Sequence, residues 1–200
     1  MSLRFGLGLL LSLWLGGCAW WRPPPPAIDQ GELAWLERID RWQLQARLGV
    51  RGERESWHGG IDWVFHNGQD RLVLSGPFGQ GGVVIQIEAG QIRIERAGGE
   101  TQVSDRPEEL LEAMLGVAVP VIAMHFWIRG LPAPGHKRIE YGSDGRIRRL
   151  LQQGWEVEYL EYRALGPYAL PVKLILTGPR GVRLKLVVDQ WRVGEEFDRA

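Results

Sequence analysis

Strict alternation of apolar and polar residues is the feature that most restricts the fold of this chain. From Trp42 to Val50 every second residue is apolar, and the residues between them are polar or glycine. Successive side chains of a β-strand point to opposite faces, so this pattern predicts a strand with one buried face. The alternation continues through residues 56–66. Further strands are predicted at residues 71–74, 83–88, 91–96, 138–141, 147–152, 155–162, 170–177 and 182–191.

The connections between these strands are short. Ala89-Gly90 and residues 178–181 are turn-forming linkers of the kind that close hairpins. Hairpins join antiparallel neighbours, so the chain order predicts a mainly β protein with a meander-like antiparallel sheet.

A helical insert interrupts the strands. Asp105 can cap a helix, with Glu108 three residues later, and the apolar stripe of Leu110, Leu111, Met114 and Leu115 ends at Gly116. Pro120 opens a second helix of the insert, which runs to about Arg129.

About ten antiparallel strands with two or three amphipathic helices predict a strongly curved sheet, an incomplete β-barrel whose open side the helices close. Such a sheet can enclose an apolar cavity that its own side chains do not fill. The ten tryptophans suit the lining of such a cavity. A fully packed α+β domain, with the tryptophans in an ordinary core, is the alternative.

The N-terminal segment has the pattern of a bacterial lipoprotein signal. Arg4 precedes a leucine-rich stretch at residues 7–15, which is too short to span a bilayer as a helix. The sequence Leu15-Gly16-Gly17-Cys18 follows it and resembles a lipobox, in which Cys18 is the acylated residue. We therefore expect a signal peptide at residues 1–17. An ordinary signal peptide with an incidental cysteine is the alternative.

The residues after Cys18 favour an anchored domain on the outer membrane. Ala19 stands where aspartate would resemble an inner-membrane retention signal. The four prolines of residues 23–26 predict a stiff polyproline II spacer, so residues 18–30 are interpreted as anchor and linker.

The folded domain is predicted at residues 31–194. Asp29 and Glu32 have capping-box spacing at the start of its first helix, and residues 195–200 form a polar tail.

Charge and cysteine content exclude several classes of function. The formal net charge is zero, with 24 basic and 24 acidic residues and no basic patch, so no nucleic-acid partner is expected. A single cysteine leaves no intramolecular disulfide. The phosphate-binding pattern G-x-x-x-x-G-K-[ST] is absent, so we expect neither nucleotide hydrolysis nor a cofactor.

Several segments, in their order and spacing behind the lipobox, resemble the LolB family of outer-membrane lipoprotein receptors. The resemblance covers about residues 42–191. The segments are Leu74-Ser75-Gly76-Pro77-Phe78-Gly79, Glu108-Glu109-Leu110-Leu111, Leu115-Gly116, Val119-Pro120-Val121, Trp127-Ile128-Arg129-Gly130-Leu131-Pro132, Gly154-Trp155-Glu156-Val157, Leu170-Pro171 and Asp189-Gln190-Trp191.

The resemblance implies an incomplete antiparallel barrel of about eleven strands with helices over its open side. It also implies a monomer anchored through Cys18 at the periplasmic face of the outer membrane. Such a receptor accepts lipoproteins from the soluble periplasmic carrier LolA, which has a similar fold, and delivers them to outer-membrane lipid.

A protruding loop with an exposed hydrophobic residue is needed for membrane insertion in that family, and the residue falls on Phe78 here. The family pattern has leucine at this place, so phenylalanine is a departure that keeps a large apolar side chain. Pro77 and Gly79 flank it and make regular strand continuation unfavourable. A Phe78 that folds back into the core as a turn anchor is the alternative.

The cargo's acyl chains would lie against inward-facing apolar residues, although the sequence leaves open which face of each strand is inward. The candidates for the lining of the cavity are Trp42, Leu44, Leu48, Trp63, Phe65, Val83, Ile85, Met124, Trp127, Trp155 and Leu174.

The sequence allows two other classes of function to be compared with this one, an enzyme and a structural lipoprotein. An enzyme or metal site could be sought at His58, Asp62 and His66, but their spacing spreads them over more than about 10 Å of strand. Ser143 lies in a Gly-Ser-Asp-Gly turn without a nucleophile elbow, and no acid–base partner for His125 is evident. We therefore expect no catalytic residue and no metal. The remaining alternative is a structural lipoprotein that binds a protein partner without lipid transfer.

Overall fold

The computed structural model of the chain describes residues 30–52, 56–76, 82–116, 118–166, 168–194 and 197. Its elements, in chain order, are α1 (Gln30–Arg38), β1 (Arg41–Arg51), β2 (Ser56–His66), β3 (Gln69–Ser75), β4 (Val83–Glu88), β5 (Gln91–Arg96), β6 (Thr101–Ser104), α2 (Pro107–Leu115), α3 (Val121–Trp127), β7 (Lys137–Tyr141), β8 (Ile147–Gln152), β9 (Trp155–Leu165), β10 (Tyr168–Thr177), a 3₁₀ turn (Pro179–Gly181) and β11 (Arg183–Val193).

All eleven strands form one antiparallel sheet in the order β6-β5-β4-β3-β2-β1-β11-β10-β9-β8-β7. The first strand pairs with the last, so both ends of the described chain meet at the middle of the sheet. Strands β6 and β7 form the two edges and do not pair, and α2 and α3 lie between them in the chain. The predicted incomplete barrel with a helical insert is confirmed.

The side chains of β1 alternate between buried and more exposed, as the sequence pattern predicted. Trp42, Leu44, Ala46 and Leu48 are buried, and the residues between them are partly or fully exposed. Each predicted strand is present, with ends that differ by a few residues. Strand β6 was not predicted from the pattern, because Thr101–Ser104 is short and mostly polar and its one large apolar residue, Val103, is 47% exposed.

The start of α2 differs from the prediction. Arg106 occupies the N-cap position and no side chain caps the helix, so the prediction that Asp105 is the cap is wrong. Pro107 occupies the first turn, where its missing N–H removes one of the groups a cap would satisfy. The predicted C-terminus is confirmed, because Gly116 adopts the left-handed conformation with φ of 71° and donates to the Glu112 carbonyl.

Helix α3 is shorter than predicted. It follows Pro120 and ends at Trp127, and Ile128 is its C-cap. Gly130, with φ of 80°, then turns the chain out of the helix and donates to the Trp127 carbonyl. Within the described residues no helix has both the length and the apolar character to cross a bilayer.

Helix α1 is fixed to the sheet by a partly buried ion pair between Glu32 and Arg146. The Glu32 carboxylate is 5% exposed, and its Oε1 accepts from Arg146 Nε at 3.0 Å and from the Ala169 backbone N–H at 3.1 Å. The hydrogen bond from Arg146 to Glu32 raises the pKa of the guanidinium above its ordinary value. Glu32 therefore joins α1 to the β7–β8 turn and to β10. The predicted capping partner, Asp29, lies outside the described residues.

Candidate functional site

The sheet has one continuous apolar face, and the predicted lining residues on strands all lie on it. Leu44, Trp63, Leu72 and Ile85 are successive cross-strand partners from β1 to β4. On the other side of β1, Leu48 opposes Leu186, which in turn opposes Leu174. Cross-strand partners share a face of the sheet, so these two rows place the candidates on β1, β2, β4 and β10 together. Trp155 lies on the same face, two residues before Val157, the partner of Leu176.

Most candidates are buried, and helix α3 contacts the sheet at Trp42 and Phe65 through His125. Phe65 and Val83 are partly buried. Met124 and Trp127, the two candidates outside the sheet, are buried residues of α3. The buried candidates are Trp42, Leu44, Leu48, Trp63, Ile85, Met124, Trp127, Trp155 and Leu174.

An aromatic cluster lies between the middle of the sheet and α3. The Trp42 ring lies 5.6 Å from Trp63, 5.9 Å from Phe65, 5.7 Å from Trp191 and 5.6 Å from the His125 imidazole, measured between ring centroids. These separations are typical of favourable aromatic pairs. Because His125 belongs to α3 and the other rings belong to β1, β2 and β11, the cluster joins the helix to the sheet.

A buried polar contact joins α3 to strand β3. Asp70 Oδ1 accepts from Trp63 Nε1 at 2.7 Å and lies 2.8 Å from His125 Nδ1, and the Asp70 and His125 side chains are each 13% exposed. An ionised carboxylate only accepts hydrogen bonds, so His125 Nδ1 is the donor in this pair. We call Asp70 and His125 the α3 latch.

A second set of contacts holds the C-terminal end of α3. Gln152 of β8 is 3% exposed; its Oε1 accepts from Trp127 Nε1 and from the Ala133 backbone N–H, both at 2.9 Å. Gln152 Nε2 donates to the Ala133 carbonyl at 2.7 Å. Tyr159 of β9 donates from its hydroxyl to the Trp127 carbonyl at 2.9 Å. The helix is thus held on both sides, by β3 and by β8 with β9.

Arg129 is a buried charge directly after α3. Its Nε donates to the His125 carbonyl at 3.1 Å, its Nη1 donates to the Leu36 carbonyl at 3.5 Å, and its guanidinium lies 5.7 Å from the Phe126 ring centre. Loss of hydration lowers the pKa of Arg129 to about 10, an effect that the negative charge of Asp70 opposes. Arg129 connects the end of α3 to helix α1.

Asp70, Gln152 and Tyr159 did not emerge from the sequence as site residues. Asp70 lies one residue before the predicted β3, but it continues the inward register of Leu72 and pairs with Phe65. Gln152 lies inside the predicted β8, two residues after buried Leu150. A polar residue in an inward register was the signal available in both cases.

Two surface recesses in the described part of the chain each include one inward-facing residue of the sheet, Tyr159 in one and Trp155 in the other. One, of about 730 Å³, contains none of the predicted lining residues; it is bordered by the β7–β8 turn and by residues 158–164 of β9, with Tyr159 and Tyr162 in its wall. The other, of about 270 Å³, lies beside Trp155, Pro179 and Arg180.

The predicted membrane residues lie outside the described part of the chain. This applies to Cys18 and to the loop residues Phe78, Pro77 and Gly79. The described residues on either side of the loop are paired, because Leu74 at the end of β3 is the partner of Val83 at the start of β4. The loop segment therefore connects two neighbouring strands.

The residues considered for catalysis do not come together. Asp62 accepts from Gln43 and Gln45 on the face of the sheet opposite the apolar one. Ser143 lies in the hairpin turn in which Gly145 donates to the Gly142 carbonyl. Among the described residues there is no cluster of three His, Cys, Asp or Glu side chains placed to hold a metal ion.

Comparison with known proteins identifies a family. The family described as "Outer membrane lipoprotein LolB" matches residues 40–191. An outer-membrane lipoprotein LolB from Nitrosococcus oceani is 33% identical over 96% of this chain and 98% of its own length. The protein of the same name from Thiobacillus denitrificans is 37% identical over 89% of this chain and 91% of its own length.

Solved structures share the fold at low sequence identity. A LolA superfamily protein from Nitrosomonas europaea aligns with a TM-score of 0.54 at 11% identity, over 84% of this chain and 96% of the other. A DUF1329 family protein from Desulfovibrio piger aligns with a TM-score of 0.56 at 6% identity, over 82% and 89%.

Proposed function

This chain belongs to the LolB family of outer-membrane lipoproteins, and from that premise we propose that it is a receptor for lipoproteins. It accepts them from the periplasmic carrier LolA, holds their acyl chains in its apolar interior and inserts them into the outer membrane. The observation that carries the proposal is the continuous apolar face of the sheet beneath one short helix, α3. Each methylene buried is worth about 0.8 kcal/mol, so acyl chains in transit need such a covered apolar surface.

Room for the chains comes from movement of α3. In this structure the lining side chains contact one another, and Trp42, Leu44 and Trp127 are 0% exposed. Displacing α3 removes Met124 and Trp127 from the interior and leaves the strand residues as a lining. Among the described residues, the polar contacts that oppose this movement include the α3 latch, the contacts of Gln152 and Tyr159, and those of Arg129. Apolar contact with the lining is not directional, which suits many different cargo proteins.

The protein attaches to the membrane through acyl groups on Cys18, at the periplasmic face, and acts as a monomer. Residues 18–30 form the anchor and linker, 31–194 the binding domain and 195–200 the tail. Several acyl chains together hold a protein firmly on a bilayer, whereas one chain alone binds marginally. The name of the family, outer-membrane lipoprotein, supports this location.

Phe78, with Pro77 and Gly79, forms the membrane-insertion loop between β3 and β4. Phe78 enters or perturbs the bilayer, so that acyl chains can leave the interior for outer-membrane lipid. We expect Phe78→Glu to accept cargo as the unmodified chain does and to fail in insertion, because a carboxylate is costly to bury in lipid. The measurement is the amount of labelled lipoprotein bound to the chain and then released into vesicles. Undiminished insertion would refute this role, and Phe78→Leu, which matches the family pattern, is the control that should remain active.

Transfer runs downhill without an enzymatic step. The chain contains no nucleotide-binding pattern, and we assign it no catalytic residue, cofactor or metal. The direction of transfer therefore depends on the receptor holding cargo more tightly than the carrier does.

The alternative, a structural lipoprotein that only binds a protein partner, differs in one measurable property. A fluorescent fatty acid should bind the purified chain, and added acylated lipoprotein should displace it. The same lipoprotein with its acyl groups removed is the control and should displace nothing. If the chain binds no fatty acid, it fits the structural lipoprotein and contradicts the receptor. The same conclusion follows if both forms of the lipoprotein displace the fatty acid equally.

A further inference from the structure

Trp42 differs in its hydrogen bonding from three other tryptophans of the apolar interior, Trp63, Trp127 and Trp191. Trp63 Nε1 donates to Asp70, Trp127 Nε1 donates to Gln152, and Trp191 Nε1 donates to the Pro171 carbonyl at 2.8 Å. The Trp42 side chain is 0% exposed, yet its Nε1 forms no hydrogen bond with any of the described residues.

An unpaired buried donor is unusual and unfavourable. Most buried side-chain polar atoms have a partner, and leaving one without a partner costs about 1–3 kcal/mol. The contacts recorded for Trp42 are with the aromatic rings of Trp63, Phe65, His125 and Trp191. Its N–H is therefore an available donor in an apolar region, where a hydrogen bond gained is not weakened by water.

We propose that Trp42 Nε1 donates a hydrogen bond to a carbonyl oxygen of a bound acyl ester or amide; this deepens the proposed function and rests on it. The acyl chain itself has no polar atoms, but the group that joins it to glycerol or to an amine carries a carbonyl that accepts only. Such a carbonyl loses its hydrogen bonds to water on entering the interior and needs a donor there. The unpaired donor and the unpaired acceptor satisfy each other.

The position of Trp42 connects this bond to the movement of α3. The imidazole of His125, which belongs to α3, lies against the indole of Trp42. Displacement of α3 removes that ring from the aromatic cluster and opens one side of Trp42 to a ligand. The hydrogen bond is then formed only in the loaded state, so it adds to the affinity for cargo without stabilising the closed state.

The test compares two ligands that differ in the carbonyl, 1-palmitoylglycerol and its ether analogue 1-O-hexadecylglycerol. Each ligand displaces a fluorescent fatty acid from the purified full chain. We expect the unmodified chain to bind the ester about tenfold more tightly than the ether, a ratio that corresponds to one hydrogen bond. Trp42→Phe keeps an aromatic ring but no donor, and we expect its ester-to-ether ratio to fall to about one.

Trp191→Phe is the matched control, because it removes an indole donor that already has a partner, the Pro171 carbonyl, at a residue outside the predicted lining. This variant should lose stability and keep the ester preference, whereas Trp42→Phe should unfold at the same urea concentration as the unmodified chain or a higher one. If Trp42→Phe does not fold, 3-benzothienylalanine at position 42 preserves the bicyclic ring and replaces N–H by sulfur.

The outcomes separate the two proposals. An ester preference that persists in Trp42→Phe or in the benzothienyl variant overturns the assignment of Trp42. Equal binding of ester and ether by the unmodified chain also overturns it, and leaves acyl binding intact. Binding of neither ligand, nor of the fluorescent fatty acid, contradicts the proposed function itself.

Discussion

Gln152 shows how much one inward-facing polar side chain can do in this protein. It satisfies the indole N–H of Trp127 and both backbone groups of Ala133, and is itself almost completely buried. Its contacts extend from β8 to the end of α3 and to the segment that leads to β7. A polar residue at such a position is favourable only while all of its partners remain in place.

Replacing Gln152 with methionine should lower the free energy of unfolding by about 3 kcal/mol, because Trp127 Nε1 and the Ala133 backbone groups would remain buried without partners. Urea unfolding followed by tryptophan fluorescence measures the change. Gln86→Met is the control, since Gln86 is an exposed residue of β4 and its substitution should change stability little. Equal stability of the two variants would show that the Gln152 contacts contribute nothing.

At the scale of elements, α3 is a short helix whose removal would uncover a large apolar face. The α3 latch connects it to β3, and Asp70 also satisfies the indole of Trp63. The negative charge of this carboxylate also acts on the buried Arg129 and favours its charged form. Loss of Asp70 therefore weakens the attachment of α3 in more than one way.

Asp70→Ala should make α3 easier to displace. We expect fluorescent fatty acid to bind severalfold faster than to the unmodified chain, and the free energy of unfolding to fall by about 2–4 kcal/mol because buried donors lose their acceptor. Stopped-flow fluorescence measures the rate. Asp62→Ala removes a carboxylate from the opposite face of the adjacent strand and should leave the rate unchanged. An unchanged rate in Asp70→Ala would mean that chains enter without movement of α3.

At the scale of the whole molecule, the sheet could be predicted from the sequence, but the site only in part. Period-two alternation is a local signal, so it identified β1 and the other strands, whereas the short, polar β6 carries no such signal. The pairing of β1 with β11 joins residues far apart in the chain, and no local pattern contains it.

The same difference between local patterns and contacts of distant residues explains which parts of the site could be predicted. Apolar residues in register predicted which strand side chains share one buried face, because burial of alternating side chains follows from strand geometry; that this face is the lining for acyl chains stays a prediction. The α3 latch could not be predicted, because it depends on how a helix in the insert lies against a distant strand. His125 and Asp70 are 55 positions apart in the chain.

The buried tyrosines predict how stability depends on pH. Burial raises the pKa of Tyr159 and of Tyr162 above the ordinary value, and for Tyr162 the nearby Tyr159 and Asp144 add to the effect. Above about pH 10 the unfolded chain loses these protons while the folded chain keeps them, so stability falls as the pH rises. Arg129, with a lowered pKa of about 10, acts in the opposite direction over this range. The loss of stability due to the two tyrosines is larger than the gain due to the one arginine.

The measurement is the free energy of unfolding at pH 9 and at pH 11. Stability of the unmodified chain should be lower at pH 11. In Tyr159→Phe/Tyr162→Phe the decrease should be smaller or reversed, since only the effect of Arg129 remains among these groups. The comparison between pH values is independent of the hydrogen bonds that both substitutions remove. A decrease as steep as that of the unmodified chain would show that these tyrosines are not buried in the folded protein.

The most direct test of the central claim, that the apolar interior receives acyl chains, is transfer of a labelled acylated lipoprotein from purified LolA to this chain. After mixing, the two proteins are separated and the label on each is measured over time. The label should move to this chain without added nucleotide, and fluorescent fatty acid bound beforehand should be released as it arrives. Label that stays on the carrier, or that moves while the fatty acid remains bound, would contradict the account.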